Sequence, residues 1–342
     1  MDVAPDRTKP RGIPARPGED PTNSRGEHAL LARFLSRETN DPLRHVSSEI
    51  VPQDHRPGGR RQYAKHTFRS LRTGGDLLVF TKFGVALPCH ARRQESFLSR
   101  LDRGEFRVPT FFGTVELVPG NRKGILIVWE YVPNDRPTTD GTWRANRAET
   151  VRAAAALAAV TDTALRDVPD MPPAADFFAR PLAETADEAI GRWARRGLDV
   201  SPLRAGAKKL AGFEARARRR IDALPRFLAH NDFRPANMHL EPSGRLVVLD
   251  WERASLGPPG ADLRFGARLP EAKQRKLVDL YCSHLAAKGI ALRAEDAMFG
   301  MLASAVFHAL ILGAFDVVGD DRAALKLGLF RWGLDHVDEV AA

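Results

Sequence analysis

Residues 228–252 read LAHNDFRPANMHLEPSGRLVVLDWE, and the reading of the fold starts there. They set His230, Asp232 and Asn237 in the pattern His-x-Asp-x-x-x-x-Asn. Asp250 stands thirteen residues after Asn237, at the end of an apolar run. Phosphoryl transfer needs one carboxylate to orient an attacking hydroxyl and accept its proton. It also needs a carboxamide oxygen and a second carboxylate to hold magnesium against the nucleotide phosphates. The spacing suits that division of labour. A tight loop carries Asp232 and Asn237, a turn is expected at 241–244, and a strand over 245–249 returns Asp250 to the loop. The competing reading is a turn rich in Asn, Asp and Pro that leads into an ordinary strand, so the motif needs its structural context.

The stretch resembles the aminoglycoside phosphotransferase and choline kinase group of small-molecule kinases, which share the protein-kinase fold. Members of that group carry His-Gly-Asp-x-x-x-x-Asn, then an apolar strand ending in Asp-Trp or Asp-Phe. Here Asp250-Trp251 closes the strand and Asn231 stands at the glycine position. If that position requires a positive φ, Asn is the next most tolerant residue. The motifs of the resemblance run over roughly residues 45–265, and the remainder matches only in being helical. It implies an α+β, two-lobed, protein-kinase-like fold with a small antiparallel-sheet lobe and a large, mainly helical lobe. The expected boundaries are a disordered tail over 1–26, a nucleotide-binding N-lobe over 27–132 with one key helix, and a C-lobe over 133–342 carrying the catalytic loop and the acceptor site.

At 342 residues the chain is long enough for two cores, and 43% hydrophobic with 28% charged residues reads as globular. Cys89 and Cys282 make no disulfide framework and no metal pattern, and both are expected buried in a reducing cytoplasm. The N-terminus shows no signal-peptide core, and no apolar run is expected to reach membrane-spanning length. A cytoplasmic protein without a membrane partner is expected. The net charge of +9 raises a nucleic-acid reading. The arginines are spread along the chain with one denser zone at 56–107, which lacks aromatic interleaving of the stacking kind, so no nucleic-acid partner is expected.

The tail over 1–26 carries five prolines and few large apolar residues, too little to offset its ordering entropy. Leu30, Leu31, Phe34 and Leu35 share one face of a helix expected over 27–38. Residues 66–72 and 76–84 flank Thr73-Gly-Gly75 as a hairpin. A helix is expected over 88–102, then strands near 111–118 and 124–132. Beyond 143 the pattern is helical, over 145–165, 183–196, 202–223, 270–289, 294–317 and 320–340, with short strands only around Asn237 and Asp250.

The resemblance assigns the remaining site. Lys82, which ends the apolar stretch LLVFTK, takes the place of the phosphate-binding lysine, and Glu95, the carboxylate inside the next helix, would pair with it. The linker after strand 125–129 would offer Glu130 C=O and Val132 N–H to adenine, and an ordinary strand end fits the same residues. Arg56–Arg61 lies where a loop would cover the phosphates, though a plain surface turn reads as well. His230 and Asp262 are expected to brace the catalytic loop. Arg234 has two open roles: offsetting charge on the phosphoryl group, or pairing with a carboxylate. The other histidines lack ligand spacing, so no zinc is inferred.

The expected activity is ATP- and Mg2+-dependent phosphorylation of a small-molecule hydroxyl: an aminoglycoside, amino alcohol, sugar or similar acceptor. Asp232 would be the base, and Asn237 and Asp250 the metal ligands. The rival is a kinase-like protein that holds nucleotide without transferring phosphate. Protein kinase activity is less favoured, because no Asp-Phe-Gly or Ala-Pro-Glu is present. For a cationic acceptor, Asp316, Asp320, Asp321, Asp335, Asp338 and Glu339 are candidate partners. Oligomeric state is left open.

Overall fold

The structure is a computed structural model that describes residues 14–15, 25–51, 62–84, 106–119, 124–132, 147–160, 181–234, 237–240, 245–251, 254–314 and 320–341. They fall into two compact units, one within 1–99 and 109–133, the other within 100–108 and 134–342.

Among the described residues, the first unit is a sheet covered by one helix. Its strands are β1 (Pro14–Ala15), β2 (Leu43–Ile50), β3 (Gln62–Ser70), β4 (Asp76–Gly84), β6 (Phe111–Pro119) and β7 (Gly124–Glu130), and its helix is α1 (Arg25–Thr39). The order across the sheet is β1-β6-β7-β4-β3-β2. All pairs are antiparallel except β1 with β6. In the tail expected to be disordered, Pro14–Ala15 pair with Val118 and Pro119; residues 1–13 and 16–24 lie outside the described residues.

The hairpin of β3 and β4 follows from its turn chemistry. The Ser70 hydroxyl accepts the N–H groups of Arg72 and Thr73, and Gly74 takes φ +75°, which costs a residue without Cβ little. Leu31 and Leu35 of α1 are fully buried, with Leu30 and Phe34 packed beside them, against Phe68, Val79, Leu126 and Val128. Burying a side chain such as Phe68 contributes about 1.5–3 kcal/mol, so this face of α1 holds the helix on the sheet. One irregularity interrupts β2. His45 faces Phe68 and Ser47 faces Thr67, leaving Val46 as an extra, exposed residue.

The second unit is mainly helical: α2 (Arg147–Ala158), α3 (Leu182–Arg195), α4 (Ser201–Ala207), α5 (Leu210–Ala223), α6 (Glu271–Ala286), α7 (Ala294–Ala314), α8 (Asp320–Asp335) and α9 (Val337–Ala341). The single helices expected over 202–223 and 320–340 are each two. The breaks fall at Lys208–Lys209 and His336, where the apolar phase gives no warning. The expected helix over 88–102, with Cys89, lies outside the described residues. Cys282, expected buried, is half-buried on α6.

Strands in the second unit are short. β9 (Met238–Leu240) and β10 (Leu246–Val248) pair antiparallel, and β5 (Phe106–Arg107) adds in parallel to β10. β8 (Phe227–Ala229) pairs with β11 (Ser255–Gly257), a ribbon too short to leave an alternation in the sequence.

The core of this unit gathers on α7, whose Phe299, Ala303, Val306, Phe307 and Leu310 are buried among residues of α3, α5 and α8. Contrary to the expectation of no such run, Ala294–Ile311 is long and apolar enough to cross a membrane by length and composition, and 61% of it is buried inside the protein. An all-round apolar helix is what a core helix requires.

α7 also meets the loop that leads to Asp262. A Cβ on Gly300 would stand 1.8 Å from the Pro259 carbonyl oxygen, and one on Gly260, at φ +79°, 2.3 Å from the Ala297 carbonyl oxygen. Two backbones are pressed together there, and neither can yield as a flexible side chain would. Gly300→Ala is therefore expected to cost about 3 kcal/mol, the upper end of overpacking. Gly328→Ala on α8, with nothing within 4 Å of the added carbon, should be neutral or stabilising by a few tenths of a kcal/mol to about 1 kcal/mol. Urea unfolding of the two variants checks the pair, and equal midpoints would remove the close-approach argument.

Candidate active site

The loop between β8 and β9 is built around one buried carboxylate. Asp262 lies in a 3-10 turn over Ala261–Gly266. Its Oδ2 accepts the His230 N–H at 2.7 Å and its Oδ1 the Asn231 N–H at 2.9 Å. Consecutive N–H groups point at one acceptor only where the chain curls, and Asn231 has φ +60°. Its side chain donates to Ser255 Oγ at 2.7 Å, next to the β8–β11 ribbon. The glycine position of the motif thus does carry a left-handed residue, which Asn tolerates by bonding locally.

His230 is fully buried and links the two strands of the site. Its Nε2 donates to the Leu249 carbonyl at 2.8 Å, and its Nδ1 accepts the Asp232 N–H at 3.1 Å. Trp251 packs edge-on against the ring at 4.6 Å and donates its indole N–H to the Val248 carbonyl. Burial lowers the imidazole below its ordinary pKa, against the pull of Asp262 and Asp232, so the ring is neutral. Burial also pushes the Asp262 carboxyl up, opposed by His230 and the two backbone N–H groups.

Asp232 is buried and held on both oxygens. Arg264 Nη2 donates to Oδ1 at 3.0 Å, and Asn237 Nδ2 donates to Oδ2 at 2.9 Å and to the Asp232 carbonyl at 2.9 Å. Arg264 also donates to the Asn231 carbonyl. Its side chain is 9% exposed, as against 56% for Arg234, whose Nε lies 3.3 Å from the same Oδ1. Of the two roles open to Arg234, pairing with a carboxylate is the one seen, and the partner is Asp232. Arg264 was missed in the sequence; a single Arg two residues beyond Asp262 carries no pattern of its own.

Asn237 and Asp250 are brought together by β9 and β10. The Leu249 N–H donates to the Asn237 carbonyl at 2.8 Å, and Asp250 follows immediately. Asp250 has φ +62°, a second left-handed residue that is not glycine. Such strain persists where the surroundings impose it and is concentrated at functional sites. Asn237 spends its N–H2 on Asp232, which turns its carboxamide oxygen to other uses.

In the first unit, Lys82 sits on β4 between Tyr63 of β3 and Ile127 of β7. It is 2% exposed, not the solvated strand end a lysine there suggests, and its Nζ lies 5.7 Å from the Tyr63 ring centre. Glu95, its expected partner, lies outside the described residues, as does the loop over Arg56–Arg61. Glu130 ends β7, with its carboxylate accepting the Thr110 N–H and hydroxyl, and Val132 beyond it is buried.

Residues 66–296 match the family model described as the phosphotransferase enzyme family. No curated protein matches the sequence. Among solved structures, the chain is similar to choline kinase from Cryptosporidium parvum Iowa II: 12% identity, TM-score 0.57, 90% of this chain and 96% of that one covered. It is also similar to a putative fructosamine-3-kinase from Haemophilus somnus 129PT, at 9% identity and TM-score 0.54, with 90% and 97% covered. A third is spectinomycin phosphotransferase in complex with ADP and spectinomycin, at 10% identity and TM-score 0.51, with 91% and 98% covered. Identities this low make the likeness one of fold: α+β and protein-kinase-like, with a sheet unit and a helical unit.

Asp262→Asn keeps the shape but replaces one acceptor with a donor facing a buried N–H. An expected loss of about 1–3 kcal/mol follows from the unpaired group. Ser255→Ala, which removes one side-chain partner of Asn231, should cost about 1 kcal/mol. Denaturant unfolding gives both numbers. An Asp262→Asn protein as stable as the parent would mean that the carboxylate does not hold the loop.

Proposed function

The chain belongs to the phosphotransferase enzyme family, and from that premise we propose that it transfers the γ-phosphoryl group of ATP to a hydroxyl of a small molecule. The observation that carries the reading is the clamping of Asp232 by Arg264 on one oxygen and Asn237 on the other. A protein that merely held nucleotide has no need of an aimed carboxylate. A kinase needs one to orient the hydroxyl and take its proton as the oxygen bonds to phosphorus and the bond to ADP breaks.

Asn237 and Asp250 are the groups proposed to hold Mg2+. The donor set fits: a carboxamide oxygen whose N–H2 is already engaged, and a carboxylate, both hard oxygen ligands. Bound there, magnesium would neutralise charge on the nucleotide phosphates. Lys82, with Glu95 as its proposed partner, supplies the phosphate-binding cation. The Glu130 carbonyl and Val132 N–H are proposed to meet the adenine edge. His230 and Asp262 brace the loop without entering the chemistry, and positioning with charge stabilisation does most of the work.

For the acceptor, a cavity of about 180 Å³ in the second unit adjoins the catalytic loop, lined by Phe233, Arg234, Arg264, Arg268, His308 and Trp332 among others. No carboxylate is among its described lining. Of the candidate acidic residues, Asp335 is exposed and Asp338 pairs with Lys209 at the surface at 2.6 Å. Asp316 and the side chains of Asp320, Asp321 and Glu339 lie outside the described residues. On the described lining, which is basic and aromatic, a neutral or anionic hydroxyl compound with an apolar part is proposed.

A screen of ATP consumption against sugars, amino alcohols, antibiotics and hydroxy acids should find its strongest response outside the polyamines. On that acceptor, Asp232→Asn is expected to lower turnover by about 10²–10⁴-fold with nucleotide affinity nearly unchanged. Asp250→Ala should abolish magnesium-dependent ATP binding in calorimetry. Parental turnover in Asp232→Asn would overturn the role of that residue. Absence of any turnover, even slow ATP hydrolysis, would favour the nucleotide-holding rival.

A further inference from the structure

Three histidines far apart in sequence meet in the first unit. His28 comes from α1, His45 from β2 and His66 from β3, and ring nitrogens of the three lie within 4.8 Å of one another. All three surround one hydroxyl. Ser48 Oγ is 2.7 Å from His45 Nε2, 2.7 Å from His66 Nδ1 and 3.1 Å from His28 Nε2. The rings of His28 and His45 stack at 3.9 Å, which sets their nitrogens side by side.

The backbone is arranged to allow this. Along an unbroken strand, residues 45 and 48 would point to opposite faces. The extra residue Val46 resets that parity, so His45 stands opposite Phe68 and Ser48 opposite His66, two residues apart on β3 and on one face. Bulges that re-aim side chains recur beside functional sites. His66 is fully buried, and its second nitrogen bonds Thr81 Oγ1 at 2.9 Å. A partner on the far nitrogen is how a metal-bound imidazole is oriented and its tautomer fixed.

We propose that His28, His45 and His66 form a binding site for a divalent transition-metal ion, Zn2+ being the best fit, with the Ser48 oxygen at the fourth position. Three imidazoles and an oxygen suit zinc in chemistry and number. In a tetrahedron with bonds of about 2.0–2.1 Å, the fourth ligand stands about 3.3 Å from each of the other three. Ser48 Oγ already has that relation to the nitrogens, contracted by a few tenths of an ångström. Without the ion, the hydroxyl donates to one ring and accepts from the other two, so the rings stay gathered. Thr81 and Lys82 are successive residues of β4 and face opposite sides of the sheet, so this site is separate from the phosphate-binding lysine. The ion would tie α1 to the edge of the sheet.

The test uses untagged full-length protein stripped with a chelator, then titrated with Co2+ and with Zn2+. The parent should bind one tightly held equivalent at this site, give the visible bands of tetrahedral cobalt, and show a raised Tm with zinc. His28→Gln and His45→Gln, both at half-buried positions that leave the core intact, should lose the bands and the Tm shift. Asp250→Ala should keep both, which separates this site from the proposed magnesium site. Thr81→Val should weaken zinc binding by about 10–100-fold. No saturable binding by the parent would overturn the proposal. So would bands that survive in the His28→Gln/His45→Gln double variant or vanish in Asp250→Ala.

Discussion

The catalytic loop depends on the pairing of one carboxylate with two consecutive backbone N–H groups. Asp262 can accept from both His230 and Asn231 only if Asn231 turns left-handed. That conformation costs about 1–3 kcal/mol in a residue with a Cβ. Two hydrogen bonds to a charged acceptor contribute about 1.5–3 kcal/mol each and outweigh it. Once the turn is set, the rest is geometry. His230 reaches the Leu249 carbonyl, Asp232 is presented to Arg264, and Asn237 closes on Asp232 from the other side. The carboxylate can serve as anchor because its own turn is fixed, by Gly260 and Gly300 letting the backbone lie against α7.

What the sequence discloses is local. His230, Asp232, Asn237 and Asp250 were legible because loop chemistry and an apolar strand are written in adjacent residues. The hairpin of β3 and β4 was legible because Ser70 and Gly74 are turn residues in sequence. The α1 face was legible because Leu31 and Leu35 keep helical period. Arg264 was not, since its meaning lies in a contact with Asp232 thirty-two residues away. The histidines were not, because their meeting depends on a strand register and on one extra residue, Val46. The division of 202–223 into α4 and α5 was hidden for another reason: Gly206 sits inside α4 and the break itself falls on Lys208 and Lys209, so no Gly or Pro follows the last helical residue to announce a stop. Phe106–Arg107 joins β10 of the second unit through two residues of pairing, below the length at which a strand leaves a pattern.

The place of α7 in the chain has a consequence for how the protein is made. All described strands of the first unit have been synthesised by residue 130, and among the described residues its core draws on nothing later. The core of the second unit takes Leu182 from α3 and Val340 from α9, with α7 between them. It closes only when the chain has left the ribosome as far as residue 340. In that interval α7 is an apolar segment as long as a bilayer is thick, without the surfaces that later cover it. Exposed apolar chain is what aggregates and what chaperones hold. The two units therefore differ in timing: the described core of the first is complete in sequence by residue 130, and the apolar face of α7 has its cover only once α9 is made.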